Sequence, residues 1–239
     1  MLPVTTKSGT SVGSKVIGTP TLGLRGLRLW LTFNEGSGNT AYDSSFYNNH
    51  GTIHGAVYTD GKFGKALSID GVDDYVDCGN SYSLNHFESL TLAVMAKQTG
   101  WTYGADAWVV DKDYTGYRLW GKDRFIFAIR SPSQDWVWCD AGPVPQLNTW
   151  YFVVGVYDAD ALKIRIYVNG ELKAECDVPE KINFDYVGWS HLRLGRHSSA
   201  DNYYPIVIDD FKLYVRALSE NEVKMLMYNR IGAVPSKTI

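Results

Sequence analysis

The feature that most constrains this chain is an apolar alternation of period two, repeated in short runs from Leu27 onward. In LRLWLTF, Leu27, Leu29, Leu31 and Phe33 alternate with Arg28, Trp30 and Thr32, the pattern of a strand with one buried face. Comparable runs follow at GTIHGAVY, KALSID, DYVDC, SLTLAVMAK, AWVVDK, GYRLWG, RFIFAIR, DWVWCD, WYFVVGVYD, KIRIYV, ELKAECDV, HLRLG and IVIDDFKLYV. Nearly all are bounded by Gly, Asn, Asp or Pro, which end strands and supply turn conformations. So many short strands predict an all-β sandwich of two sheets.

Two local signals are sharper. Asn169-Gly170 between alternating runs predicts a type I′ hairpin with positive φ at both residues. Ser219 with Glu222 three residues on is a capping box, and it opens one short C-terminal helix whose apolar face is Val223, Leu226 and Met227. No internal repeat or second apolar cluster calls for another domain. The expected organisation is an extended arm over 1–23, rich in Gly, Ser, Thr and Pro, one domain over 24–232, and a tail over 233–239.

Composition removes several partners. Net charge is −3, with 23 basic and 26 acidic residues and no basic cluster, which disfavours nucleic acid. The longest apolar runs are strand-length, far below the ~20 residues of a membrane-spanning helix, so no membrane insertion is expected. The opening MLPVTTKSGTSVGSKVIGTP lacks the basic start and apolar segment of a secretory signal. Cys78, Cys139 and Cys176 form no C-x-x-C pair, which argues against zinc and leaves one bridge with one free thiol open.

Aromatic residues reach 14%. Trp136 and Trp138 lie two apart and project from one sheet face, while Trp108, Tyr117 and Trp120 sit in the strands before them. Flat rings beside polar groups suit sugars, whose C–H faces stack while their hydroxyls bond to Asp, Asn or Arg. The candidate ligand-binding set is Trp108, Tyr117, Trp120, Arg130, Trp136 and Trp138, with Gln134, Asp135 and Asp140 as further polar contacts. The competing reading places most of these rings in the core, and the sequence leaves both open.

Catalytic signatures are weak, and no catalytic residue is assigned. GTSVG, at 9–13, matches G-x-S-x-G but has no strand before it and no helix after. DKDYTGYRLWGK, 111–122, resembles a calcium-binding EF-hand loop but ends on Lys122 instead of Glu, and reads as a turn between strands. The five histidines show no H-E-x-x-H pattern; His50 and His54 are expected to bond backbone groups in their turns.

The run LWLTFNEGSGNTAYDSSFYNNHGTIHGAVYTDGKFGKALSIDGVDDYVD, with IDDFKLYVRALSENEV near the end, resembles the laminin G-like jelly-roll domains of the concanavalin A-like lectin/glucanase superfamily. The resemblance rests on several motifs in order, among them F-x-E-G-S-G, D-S-S-x-x-x-N-H-G, a Y-x-N-G hairpin and I-D-D-F. It implies a two-sheet jelly roll, frequently a calcium-binding module for carbohydrate or protein ligands, found extracellularly, at cell surfaces or on virions. By this analogy a structural calcium would take Glu35, Asp70, Asp209 and Asp210, with carbonyls near Asn39 or Gly71. The alternative is that these carboxylates cap turns and pair with Lys62, Lys65 and Arg216. Strand alternation puts Asp209 and Asp210 on opposite faces. In SIDGVDDYVDCG, Asp73 and Asp74 are expected in an exposed turn, with Asp77 on the same face as Tyr75.

Glycoside hydrolases of the superfamily carry paired carboxylates on one strand as E-x-D-x-E or E-x-D-x-x-E, and neither pattern occurs here. The leading expectation is a noncatalytic carbohydrate-binding or adhesion module, probed first with glycan partners. A structural or virion and cell-surface protein that self-assembles or meets protein partners through arm 1–23 is the alternative. A polysaccharide hydrolase or lyase ranks third.

Overall fold

A computed structural model describes residues 24–102, 107–112, 116–121, 123–130, 136–182, 190–197 and 201–228. The arm over 1–23, with its proposed role in assembly, the tail over 233–239, and Gln134 and Asp135 lie outside the described residues. In chain order the first strands are β1 Leu27–Leu31, β2 Thr40–Ala41, β3 Gly51–His54, β4 Val57–Asp60, β5 Lys65–Ile69, β6 Tyr75–Asp77, β7 Leu90–Gln98 and β8 Trp108–Lys112. They continue as β9 Tyr117–Gly121, β10 Arg124–Arg130, β11 Trp136–Asp140, β12 Trp150–Asp158, β13 Lys163–Val168, β14 Glu171–Asp177, β15 Arg193–Leu194 and β16 Ile206–Tyr214, followed by helix α1 Glu220–Tyr228.

These strands make two eight-stranded antiparallel sheets. The first runs β14-β13-β12-β7-β16-β5-β4 with β1 also on β16; the second runs β11-β10-β9-β8-β15-β6-β3-β2. Side chains that alternate inward from both, such as Leu29, Val94, Leu119, Phe127, Tyr157 and Phe211, form the shared core. Each fully buried large apolar side chain contributes ~1.5–3 kcal/mol. The packing is close: a Cβ on Gly155 would come within 2.4 Å of the Phe127 ring.

The expected local signals fold as read. Asn169 and Gly170 have φ of 52° and 80°. Glu222 accepts from the Ser219 backbone N–H at 2.9 Å, while Ser219 Oγ accepts from the Glu222 N–H at 3.4 Å. The capped helix lays Val223 and Leu226 on Trp30, Met95, Phe152 and Tyr167, on the outer side of the first sheet. Of the segment 111–122, residues 113–115 and 122 lie outside the described residues, and the ends that are described belong to the paired strands β8 and β9. The D-S-S-x-x-x-N-H-G motif is a structural staple: Asp43 accepts from the N–H groups of Trp30, Ser45 and Asn49 at 2.8–2.9 Å, and His50 Nδ1 accepts from Asp43 N–H at 2.9 Å.

Two features escaped simple alternation. On its β7 side β16 is continuous, but on its other side it changes partner, from β5 at Ile206–Ile208 to β1 at Phe211–Tyr214. The register with β7 shifts between Ile208 and Asp210; such a bulge re-aims side chains. Asp209 and Asp210 therefore line one small cavity, of about 40 Å³, with Thr32 and Asn34, instead of facing opposite ways. The second feature is a disulfide from Cys139 on β11 to Cys176 on β14, which ties together the edge strands of the two sheets; Cys78 is free and buried.

Candidate functional site

With α1 laid over the first sheet, the other large face is the outer side of the second sheet, buried in its middle at Asp111 and Arg118 and open at its β11 edge at Trp138. Cross-strand pairing fixes what stands on it. Trp138 faces Ala128, Ala128 faces Arg118, Arg118 faces Asp111, Asp111 faces Arg193, and Arg193 faces Asp77. Residues directly opposite share a face, so this row crosses six strands on the side away from the core. An aromatic patch stands at one end and charged groups at the other.

The aromatic end is layered. Trp138 is 39% exposed and Trp136 half-buried, with ring centroids 5.9 Å apart. Trp108 lies beneath, fully buried, 5.6 Å from Trp138. It lies flat because its cross-strand partner is Gly121, where a Cβ would come within 2.2 Å of the indole. The Arg118 guanidinium is stacked 4.1 Å from the Trp136 ring and 5.4 Å from Trp108. Arg130 pairs in register with Trp136 and is half-buried. Asp140, exposed on the same strand, meets Arg124 at 2.8 Å.

Of the six expected ligand-binding residues, Trp136, Trp138 and Arg130 thus stand on this face together. Trp108 shares the face but is its covered floor. Tyr117 and Trp120 are corrections: both are fully buried core residues. Tyr117 follows the inward alternation of Leu119. Trp120 has φ of 52°, and that left-handed turn of the backbone sends its ring inward against Phe125 and Tyr151.

Behind the rings the row is an ion-pair ladder that sequence reading missed. Arg118 Nε donates to Asp111 Oδ1 at 2.6 Å, and both side chains are buried. Arg118 also donates to His197 Nε2 at 2.8 Å, which leaves the imidazole proton on Nδ1, facing Asp111 Oδ2 at 3.7 Å. Farther on, Asp77 accepts from Gly79 N–H and His191 Nδ1, both at 2.8 Å, and from Arg193 Nε at 3.2 Å. Burial pushes the Asp77 carboxyl up, but these donors outweigh it and hold it below the usual carboxylate range. The signal in the sequence was a charged residue at an inner position of a short apolar run, as in VVDK and YRLW.

The four expected calcium ligands do not converge. Glu35 accepts from Tyr42 N–H at 2.8 Å and from the Tyr58 hydroxyl at 3.4 Å. Asp209, 1% exposed, accepts from Phe63 N–H at 2.6 Å. Asp210 accepts from Trp30 Nε1 at 2.7 Å and from the Lys212 ammonium, which already neutralises it. Asp70 sits instead in the turn after β5, where ligand atoms of Asp70, Asp73 and Asp74 lie within 4.8 Å of one another; among the described residues this is the one such group of three. Asp74 is buried, not exposed as expected, and its Oδ2 accepts from Asp70 N–H at 3.1 Å. Burial, with Asp70 and Asp73 beside it, leaves its carboxyl above the usual range. His54, expected to bond a turn backbone, stacks on Tyr75 at 4.3 Å.

A laminin G-type family model, described as Concanavalin A-like lectin/glucanases superfamily, matches residues 70–224, and the chain belongs to that superfamily. Solved structures share the fold at low identity. Domain 4 of AbnA, a GH43 extracellular arabinanase from Geobacillus stearothermophilus, in complex with arabinotriose, has a TM-score of 0.69 and 20% identity over 84% of this chain and 98% of that one. The binding domain of Paraclostridial Mosquitocidal Protein 1 gives a TM-score of 0.68 and 16% identity over 84% of this chain and 52% of that one. A botulinum neurotoxin type C structure, described as dependent on two ganglioside molecules for cell entry, gives 0.62 and 15% over 85% and 51%. The chain therefore spans about half the length of the toxin chains it matches. A comparison with curated proteins finds no match.

Proposed function

We propose that this protein is a noncatalytic carbohydrate-binding module whose platform is Trp138 and Trp136 on the outer face of the second sheet. The observation that carries the reading is an exposed indole held from below by Trp108 and flanked by Trp136, itself stacked on a buried guanidinium. A ring fixed in this way loses little freedom when a sugar face stacks on it. Arg130 and Asp140 beside it offer hydroxyls a donor and an acceptor. The arabinotriose complex and the ganglioside dependence of structures with this fold support the ligand class.

The bridge between Cys139 and Cys176 supports export, because disulfides persist in oxidising compartments. No helix among the described residues is long and apolar enough to cross a membrane. Calcium joins this reading as a stabiliser of the turn at Asp70, Asp73 and Asp74, where a cation relieves like-charge crowding.

The test is binding of a panel of soluble polysaccharides to wild type and to the Trp136→Ala/Trp138→Ala double variant. Wild type is expected to bind at least one glycan, with the double variant about tenfold or more weaker on that ligand. Absence of binding to every glycan sinks the reading, and release of new reducing ends sinks its noncatalytic part.

A further inference from the structure

A second concavity lies away from the tryptophan platform, where loops close one end of the sandwich. Its volume is about 540 Å³, inside the ~300–1,000 Å³ range of small-ligand clefts. Trp101, 40% exposed, and the half-buried Tyr203 supply two rings, and Thr102, Asn202, Asp70 and Asp201 supply polar groups.

The floor is backbone. Gly71 and Gly100 press on Pro205, so close that a Cβ would fall 2.9 Å and 3.2 Å from the pyrrolidine ring. Gly71 has φ of 83°, which a side chain adopts with strain. The walls are fixed by hydrogen bonds behind them. Thr102 donates through N–H and Oγ1 to Asp123 Oδ2 at 3.1 and 3.0 Å, and Gln98 Nε2 donates to Asp123 Oδ1 at 2.6 Å. Gln98 Oε1 in turn accepts from the buried Tyr204 hydroxyl at 3.1 Å, and Thr99 N–H donates to the Pro205 carbonyl at 3.0 Å. Tyr203 is held from the other side, where Arg196 stacks 5.2 Å from its ring and pairs with Asp201 at 2.6 Å.

The chemistry of the lining selects the ligand. Among the described residues that line it, none is Lys or Arg, and its charged groups are the exposed carboxylate of Asp70 and that of Asp201, which is already paired with Arg196 behind the wall. Both carboxylates accept hydrogen bonds from sugar hydroxyls, and Asp70, with Asp73 and Asp74 beside it, repels acidic sugars. The rings offer stacking surfaces for apolar C–H faces. We infer that this cavity is a second binding site, for a neutral saccharide, independent of the Trp136/Trp138 platform. The inference shares with the platform reading the class of ligand alone.

The experiment is a two-dimensional amide NMR titration of the protein with neutral and acidic oligosaccharides, run in calcium and again in chelator. Wild type, Trp101→Ala and Trp136→Ala/Trp138→Ala are compared. Neutral oligosaccharides are expected to shift the amides of Gly71 and Gly100 and the Trp101 indole in both wild type and the double variant. Trp101→Ala is expected to weaken the response at Gly71 and Gly100 about tenfold while leaving the Trp138 indole response in place. Silence at Gly71, Gly100 and Trp101 while Trp138 responds overturns this site and leaves the platform standing. Loss of their response in the double variant overturns its independence, and an equal response to acidic oligosaccharides overturns the ligand class. Response at the cavity without response at Trp138 sinks the platform and leaves this site standing. Because the wild-type titration locates the ligand by itself, a folding defect in Trp101→Ala does not decide the outcome.

Discussion

Lys112 is wholly buried, its ammonium donating to Asn80 Oδ1 at 2.7 Å and to the Ser190 carbonyl at 2.5 Å. Burial pulls its pKa from 10.5 down to about 7, against the opposing pull of Asp77 and Asp111. Above about pH 7 the folded protein sheds a proton that the unfolded chain keeps up to its ordinary pKa, so this group adds stability as pH rises through that window and none below it. The expected outcome is that wild type gains about 2–3 kcal/mol on Lys112→Met between about pH 7.5 and 9.5, read from urea midpoints at each pH. A constant gap between the two proteins defeats the assignment. The same scale shows where sequence reading stopped. The period-2 rule puts Trp136 and Trp138 on one face, as found, but Trp120 follows a positive φ that no residue type at that position announces. Burial of Trp108 depends on the glycine opposite it, a neighbour that only the strand register reveals.

Elements were legible where their cause is local. The Asn-Gly hairpin, the Ser219 capping box and the alternating strands each follow from a few adjacent residues. The bulge in β16 does not, because it arises where that strand exchanges β5 for β1, two partners more than a hundred residues away. That one irregularity undid the expected opposition of Asp209 and Asp210, and the Lys212 ammonium and the Phe63 N–H engage them within the fold. The turn between β5 and β6 is then the element at which calcium is proposed. Saturating calcium, at about a hundred times its dissociation constant, adds ~2.7 kcal/mol to a protein that binds it only when folded. This corresponds to a rise of roughly 5–10 °C in melting temperature, reversed by chelator and absent in Asp73→Asn/Asp74→Asn. Identical melting curves with calcium and with chelator remove calcium from this protein.

For the whole molecule, the two-sheet class was legible because a dozen alternating runs admit few other packings, whereas the two candidate sites draw residues from strands and loops far apart in sequence. On the platform's own face, Arg118, Asp111 and His197 fill the middle with buried polar contacts. The Cys139–Cys176 bridge closes a loop of 37 residues between the edges of both sheets, a constraint of ~3–4 kcal/mol on the unfolded chain. Reductant, or Cys139→Ser/Cys176→Ser, is expected to lower the melting temperature by roughly 10 °C; equal melting with and without reductant rules the bridge out as a stabiliser. The third cysteine adds a temporal requirement. Exchange proceeds through the thiolate, and enclosure in the core pushes the Cys78 thiol far above its ordinary range. A chain that collapses before it meets oxidant has a single pairing open to it, while one oxidised during synthesis can join any two of its three cysteines. Correct maturation is therefore a race between collapse and oxidation, and the hidden thiol decides how many wrong products that race can yield.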